Sequence, residues 1–174
     1  MNSSSAQKID NDLQPEHGVD QYLTFCLAGE EYGVNILKVQ EIKGWSEVTP
    51  MPNTPEAVLG VINLRGTVVP IVELRRHFGL PSAEPGPTTV IIVVKASDGK
   101  GNVRTMGMVV DAVSEVHNIA ASEIQPPPPI GEGSEKRSVA GLATMEERMI
   151  ILLDIDDLMN NGVLGLLKEE DTDV

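Results

Sequence analysis

The amino-acid sequence predicts a mainly β fold in which two related five-stranded units form small barrels. Short stretches of alternating apolar and polar residues recur along the chain, as expected of strands with one buried face. Turns rich in glycine and proline separate these stretches. The order of strands and turns in the second half also repeats that of the first half. Closed barrels suit such short strands because closure removes exposed strand edges.

The first half starts with residues 1–18, which are polar and irregular and are expected to form a flexible tail. Further on, Arg65-Gly66-Thr67 separates two apolar runs and predicts a hairpin-like turn. Residues 73–78 predict a short helix that stops before the following glycine and proline. The alternation predicts the strands of this half at residues 21–28, 32–36, 39–42, 61–64 and 68–72.

A linker-like stretch at residues 81–87 introduces the second half. Residues 98–102, Asp-Gly-Lys-Gly-Asn, have the composition of a hairpin turn because these residue types tolerate positive φ. The Pro126–Pro129 run predicts a rigid extended connector. Asp154, followed by Asp157, predicts the capped start of a terminal helix. Strands are predicted at residues 88–94, 106–110, 113–116 and 149–153.

These elements place one folded region at residues 19–160, with a first barrel at about 21–84 and a second at about 85–160. The sequence leaves open whether strands are exchanged between the two barrels. Residues 161–174 are expected to form an acidic C-terminal tail, for which a helical conformation is one possibility.

An internal repeat supports the two-unit organisation. With an offset of 74 residues, Tyr32-Gly33-Val34 aligns with Met106-Gly107-Met108. With an offset of 81 residues, Val69-Pro70-Ile71-Val72 aligns with residues 150–153. Two related five-stranded units explain this pattern better than one long sandwich, although chance similarity between aliphatic strands is the alternative.

The charge balance excludes several classes of function. Thirteen Lys and Arg against 26 Asp and Glu give a net charge of −13, which disfavours binding to nucleic acids or anionic membranes. The N-terminus lacks the features of a signal peptide, and no apolar run has the length of a membrane helix. We therefore expect a soluble cytoplasmic protein. Cys26, the single cysteine, excludes an intramolecular disulfide and is expected to be buried.

The arrangements of residues that carry enzyme chemistry were not found in the sequence. The three histidines have no metal-ligand spacing, and no nucleophile elbow, Walker A loop or dinucleotide-binding glycine motif occurs. The aspartates at 154, 156 and 157 are better explained by helix capping than by a cation site. The sequence therefore predicts a protein that is not an enzyme and that uses neither a metal nor a cofactor.

Several ordered motifs resemble those of CheW-type chemotaxis coupling proteins. The resemblance covers roughly Val19 to Met159 and is carried by residues 31–42, 53–55, 60–66, 69–74, 107–113 and 140–142. It implies two SH3-like five-stranded β-barrels with short connecting helices and a C-terminal helix. It also implies a non-enzymatic adaptor that binds the cytoplasmic hairpin of chemoreceptors (methyl-accepting chemotaxis proteins) and the regulatory domain of the CheA histidine kinase. Such an adaptor would be recruited from the cytoplasm to membrane-associated receptor arrays.

The resemblance also implies site residues. Ile36, Val39 and Ile42 would offer an apolar strip to a receptor helix, and Val39 and Glu41 match family positions linked to receptor binding. Arg65 matches a receptor-contacting arginine, whose guanidinium can form forked hydrogen bonds. The alternatives are an ordinary strand pair for Val39 and Glu41, and for Arg65 a structural role in its own loop.

For the kinase, we expect contacts from Val48 and Met51, apolar residues in a proline-rich surface loop. A role in covering a barrel end is equally compatible with their positions. Two features depart from the family pattern: a long polar hairpin at residues 96–104, and the Pro126–Pro129 run together with the acidic tail. The functional alternative is a β-barrel regulatory or small-ligand-binding module in another two-component pathway.

Overall fold

The computed structural model describes residues 18–128 and 138–163, with side chains to residue 160. These residues form two short helices, α1 (Leu74–His77) and α2 (Ile155–Asp157), the latter continuing as π-helical turns over Leu158–Val163. One-turn 3₁₀ helices lie at Ile36–Lys38 and Ala121–Glu123. The strands are β1 (Val19–Leu27), β2 (Glu30–Asn35), β3 (Val39–Gly44), β4 (Val58–Leu64), β5 (Thr67–Glu73), β6 (Val90–Ser97), β7 (Val103–Val110), β8 (Ala112–Ala120), β9 (Ile124–Gln125), β10 (Val139–Met145) and β11 (Arg148–Leu153).

The strands form two sheets, which confirms the predicted mainly β fold. Sheet 1 has the order β3-β6-β7-β5-β4. Sheet 2 has the order β8-β1-β2-β11-β10-β9, in which β9 contributes only two residues. Each sheet contains one parallel junction, between β5 and β7 in sheet 1 and between β2 and β11 in sheet 2.

Both sheets combine strands from the two halves of the chain. β1 and β2, at residues 19–35, lie in sheet 2, whereas β6 and β7 of the second half lie in sheet 1. Sheets assigned to residues 21–84 and 85–160 are therefore wrong, and the strands are exchanged. The physical reason is the pairing at the parallel junctions, where each half supplies one of the two strands.

The internal repeat is visible in the register of these junctions. Gly107 is paired with Ile71, and Gly33 is paired with Leu152, so the aligned residues of the two repeats occupy equivalent places. A Cβ atom on Gly107 would lie 2.6 Å from Ile71 Cδ1, and one on Gly33 would lie 2.9 Å from Leu152 Cδ2. The glycines thus leave room for the side chain of the strand beside them.

The core consists of three apolar clusters. The shared core lies between the sheets and includes residues of both, such as Phe25, Val34, Val72, Ile92, Val94 and Met108. A second cluster belongs to sheet 1 and a third to sheet 2. Along β6, alternate side chains enter the shared core and the sheet 1 cluster. Burial of both faces explains why residues 90–94 read as a continuous apolar run.

Turns and helix ends follow the local chemistry of the sequence. The Asp154 side chain accepts a hydrogen bond of 3.0 Å from the Asp157 amide, which confirms the predicted cap of the terminal helix. The predicted short helix after β5 and the hairpin between β6 and β7 are also present. The predicted flexible tail, the end of the Pro126–Pro129 run and the acidic segment after residue 163 lie outside the described residues.

Two ion pairs join the halves at equivalent places but with opposite polarity. Arg75 of α1 donates to both carboxylate oxygens of Asp111, at 2.8 and 3.1 Å. The Lys38 ammonium lies 3.0 Å from both carboxylate oxygens of Asp156 in α2. With the offset of 81 residues, Asp156 corresponds to Arg75, so the cation and the anion have changed places. Each pair links a helix of one half to the start of an outer strand of the other half.

Candidate functional site

The bulge in β3 determines which predicted residues share a face. Val39 is paired with Val94 of β6, but Glu41 is paired with Val93, so Gln40 is an extra residue in the ladder. Paired residues in an antiparallel sheet project to the same side. Val39 and Ile42 therefore lie on the side of the shared core, and Glu41 lies on the opposite side. The bulge brings together two members of the predicted apolar strip that an unbroken strand would separate.

Only part of this apolar strip is available to a partner. Ile36 and Val39 are half-buried and pack against the shared core. Ile42 is 45% exposed, and Leu37, which was not predicted, is 69% exposed. The Asn35 side chain accepts a hydrogen bond of 2.9 Å from the Leu37 amide and so caps the 3₁₀ turn that presents this leucine. An Asn before a short apolar segment was the sequence signal for that turn.

Arg65 and Glu41 form a forked ion pair at the surface of sheet 1. Arg65 Nη2 donates to Glu41 Oε1 at 2.6 Å, and Nη1 donates to Oε2 at 3.3 Å. Hydrogen bonding to the carboxylate, followed by its charge, raises the pKa of the Arg65 guanidinium. The structure thus brings together two residues that the sequence assigned separately to receptor binding.

The turn between β4 and β5 holds Arg65 in place. Arg65 and Gly66 have φ values of 51° and 89°, and the Asn63 side chain accepts a hydrogen bond of 2.8 Å from the Gly66 amide. Positive φ at both central residues is the geometry of a tight hairpin turn. Beside the turn lies a groove of about 260 Å³, lined by Gln40, Leu64, Arg65, Thr67, Val69 and Thr105.

The predicted kinase residues lie in the loop between β3 and β4. Thr49 of this loop forms backbone hydrogen bonds of 2.9 Å in both directions with Val61. A Cβ atom on Gly60 would lie 2.1 Å from the Thr49 carbonyl oxygen, so the loop is fixed against β4 where only glycine fits. Val48 is half-buried against the sheet 1 cluster, whereas Met51 is 47% exposed. Of the two residues, Met51 offers apolar surface to a partner.

A second groove, of about 330 Å³, lies between Trp45 and α1. Its volume is at the lower limit for small-molecule sites. The two arginines that line it are already paired, Arg75 with Asp111 and Arg76 with Glu73 at 2.7 Å. They therefore offer no unpaired positive charge to an anionic ligand.

Cys26 is half-exposed and borders a groove that also contains Ser114 and Arg148. The prediction that this thiol is buried was wrong, because Cys26 alternates with Phe25 and Leu27, and those two side chains fill the shared core. Among residues 18–128 and 138–163, no group of three or more His, Cys, Asp or Glu is arranged to hold a metal ion. The helices in these ranges are all too short or too polar to cross a membrane.

Comparison with known proteins identifies the family. A family model described as the CheW-like domain matches residues 21–162. The chemotaxis protein CheW of Klebsiella aerogenes is 40% identical over 147 residues, which cover 84% of this chain and 86% of that protein. CheW of Rhizobium meliloti is 40% identical over 142 residues, covering 82% and 88%.

A solved structure agrees with these sequence relatives. The crystal structure of the scaffolding protein TtCheW from Thermoanaerobacter tengcongensis superimposes with a TM-score of 0.71 at 34% identity, covering 80% of this chain and 87% of that chain. The two sheets accordingly correspond to the two SH3-like barrels of CheW. This chain belongs to the CheW-like family, whose members are non-enzymatic scaffold or adaptor proteins of chemotaxis.

Proposed function

We propose that this protein couples chemoreceptors to the CheA histidine kinase by binding both. It would act in the cytoplasm and be recruited to membrane-associated receptor arrays through these contacts. Membership of the CheW-like family supports this proposal, as does the scaffold role stated for its structural neighbour. The observation that carries it is the surface where the Arg65–Glu41 pair and the exposed apolar residues of β3 and its preceding turn come together.

The proposed receptor surface comprises Ile36, Val39, Glu41, Ile42 and Arg65, together with Leu37. Its exposed apolar side chains, Leu37 and Ile42, suit the apolar face of an amphipathic receptor helix. Arg65 remains 67% exposed while two of its five N–H groups are used by Glu41. The remaining donors would bind carboxylates or carbonyls of the receptor, and Glu41 would fix their direction.

The proposed kinase surface comprises Met51 with support from Val48. Because backbone bonds between Thr49 and Val61 fix this loop, Met51 projects from an ordered support. An apolar side chain held in this way loses little conformational entropy on binding. Val48 would contribute mainly by holding the loop against the sheet 1 cluster.

Signal transmission would follow from a difference in affinity. A scaffold can shift the state of a kinase only if its contacts differ in free energy between receptor states. The receptor surface in sheet 1 and the kinase loop are joined by the β3 strand and its continuation. A change of contact at β3 would therefore reach the kinase loop through a short rigid connection.

Two NMR titrations of the labelled protein test the proposal, one with a receptor signalling hairpin and one with the kinase regulatory domain. We expect the receptor to shift resonances around Val39 and Arg65, and the kinase domain to shift those around Val48 and Met51. Overlapping patches would contradict a two-sided coupler. A response to neither partner would contradict coupling altogether and leave the alternative of a regulatory or small-ligand-binding module.

A further inference from the structure

The unpaired positive charge of the described residues is concentrated on one hairpin. Residues 18–128 and 138–163 contain nine lysines and arginines. Five form ion pairs, and Lys43 is hydrogen-bonded to Ser46. The remaining three are Lys95, Lys100 and Arg104, and all lie in the β6–β7 hairpin. In a chain with a net charge of −13, three such cations on one hairpin are a local exception.

The tip of this hairpin is built to hold its shape. The Asp98 carboxylate accepts hydrogen bonds from the amides of Lys100 at 2.7 Å and Asn102 at 3.2 Å. Gly99 and Gly101 provide the positive φ values that the turn requires. The negative charge of Asp98 is thus directed into the turn, while the three cationic side chains point away from the backbone ladder. Val103, in the same hairpin, is 65% exposed.

The last described residues lie against the base of this hairpin. Asn160 Nδ2 donates to the Ser97 carbonyl at 2.8 Å, and the Ser97 amide donates to Asp156 Oδ1 at 3.1 Å. Ser97 is the pairing partner of Val103. The chain therefore leaves the described region beside the cationic hairpin.

The sequence that follows complements this surface. Residues 164–167 contain three leucines, and residues 168–173 contain one lysine against four carboxylates, a net charge of −3. About ten residues separate Asn160 from these carboxylates and would span up to roughly 33 Å when extended. A tether of this length gives an effective concentration on the order of millimolar, which makes weak individual contacts sufficient.

We propose that residues 164–174 dock on the β6–β7 hairpin of their own chain. The carboxylates of the segment would pair with Lys95, Lys100 and Arg104, and its leucines would cover Val103. Exposed ion pairs are individually weak and screened by salt, so the docked state would be populated at low ionic strength and released at high ionic strength.

Paramagnetic relaxation in the full chain tests this proposal. A nitroxide is attached through Thr172→Cys in a Cys26→Ser background, and line broadening is measured for every amide. At about 0.01 M salt, where the Debye length is about 30 Å, we expect broadening concentrated at residues 95–104. At about 1 M salt, where the Debye length is about 3 Å, this broadening should be lost.

Variants separate charge pairing from mere proximity. Lys95→Gln, Lys100→Gln and Arg104→Gln together should remove the low-salt broadening, as should Glu169→Gln, Glu170→Gln and Asp171→Asn. The matched control neutralises three carboxylates before the folded region, by Asp10→Asn, Asp12→Asn and Glu16→Gln, and should leave it unchanged.

Three results would overturn the proposal. One is broadening that is spread evenly over the surface or centred on another element. A second is broadening that persists when the three hairpin cations are neutral. The third is broadening of an isotope-labelled chain by a separate spin-labelled chain at the same protein concentration, because the occupant would then be a second copy.

Discussion

Arg65 and Glu41 lie 24 positions apart in sequence and share two nearly parallel hydrogen bonds on sheet 1. The turn between β4 and β5 supplies the guanidinium, and the bulged strand β3 supplies the carboxylate. The pair therefore joins the two ends of the sheet's strand order, β3 and β4. It also means that a change at Arg65 alters Glu41 as well, which mutational tests have to separate.

Arg65→Glu should weaken association with the receptor hairpin about tenfold or more, since it removes the guanidinium and places two carboxylates together. The charge-swapped double variant, Arg65→Glu with Glu41→Arg, should recover the thermal stability of the wild type but not its receptor affinity. Calorimetric titration and thermal unfolding measure the two quantities. Recovery of full affinity in the double variant would show that Arg65 acts only by pairing with Glu41.

Met51→Glu should weaken binding of the kinase regulatory domain without changing stability, because this side chain is exposed. Val48→Ala is the matched variant in the same loop. It should lower the free energy of unfolding by about 1 kcal/mol through lost apolar burial and change kinase affinity less than Met51→Glu does. Equal kinase binding by wild type and Met51→Glu would contradict the assignment of this surface.

Asp111→Asn should make stability less dependent on pH. Hydrogen bonds from Arg75, together with one from the Ala28 amide, hold the pKa of the Asp111 carboxyl below its usual value. A carboxyl whose pKa is lower in the folded state stabilises the fold above its unfolded pKa of about 3.9 and loses that contribution as the pH falls through the folded value.

At pH 7 the Asp111→Asn variant should lose about 1–3 kcal/mol, the range for hydrogen bonds to charged groups. The difference from wild type should shrink as the pH falls below 4, which urea unfolding over pH 3–7 would measure. Glu84→Gln, a change at an exposed position, provides the control and should leave the pH dependence almost unchanged. A deficit that is constant with pH would exclude an electrostatic origin.

Gly60→Ala should destabilise the fold by about 2–6 kcal/mol, combining strain at a φ of 150° with overpacking against the Thr49 backbone. Gly107→Ala should cost about 1–3 kcal/mol, because only side-chain atoms of Ile71 and Ile91 obstruct the added methyl group. Gly44→Ala, where nothing lies within 4 Å, should change stability by less than about 0.5 kcal/mol. Denaturant unfolding would reveal any departure from this ranking.

The sequence was sufficient to predict the strands and their duplication. The strands around Gly33 and Gly107 alternate in the same way, and the structure places the two glycines at equivalent parallel junctions. Local chemistry also predicted the cap at Asp154 and the turn at Arg65-Gly66. These features depend on residues close together in sequence, for which spacing and residue type are informative.

Pairing between distant strands was not predictable from the same patterns. Alternation shows which side of β1 is apolar but not whether β1 lies beside β8 or beside a strand of its own half. The extra residue at Gln40, which places Val39 and Ile42 on one face, follows from the register of β3 against β6. The exposure of Cys26 likewise depends on the surrounding strands rather than on its neighbours in the chain.

The exchange of strands between the sheets has a consequence for biosynthesis. Glu31 of β2 is paired with Ile150 of β11, and ribosomes add about 5–20 residues per second, so the 119 intervening residues take about 6–24 s to make. During this interval the earliest strands emerge without their final neighbour, and their apolar side chains are available to chaperones and to other nascent chains. Folding of either barrel can finish only when nearly the whole message has been translated.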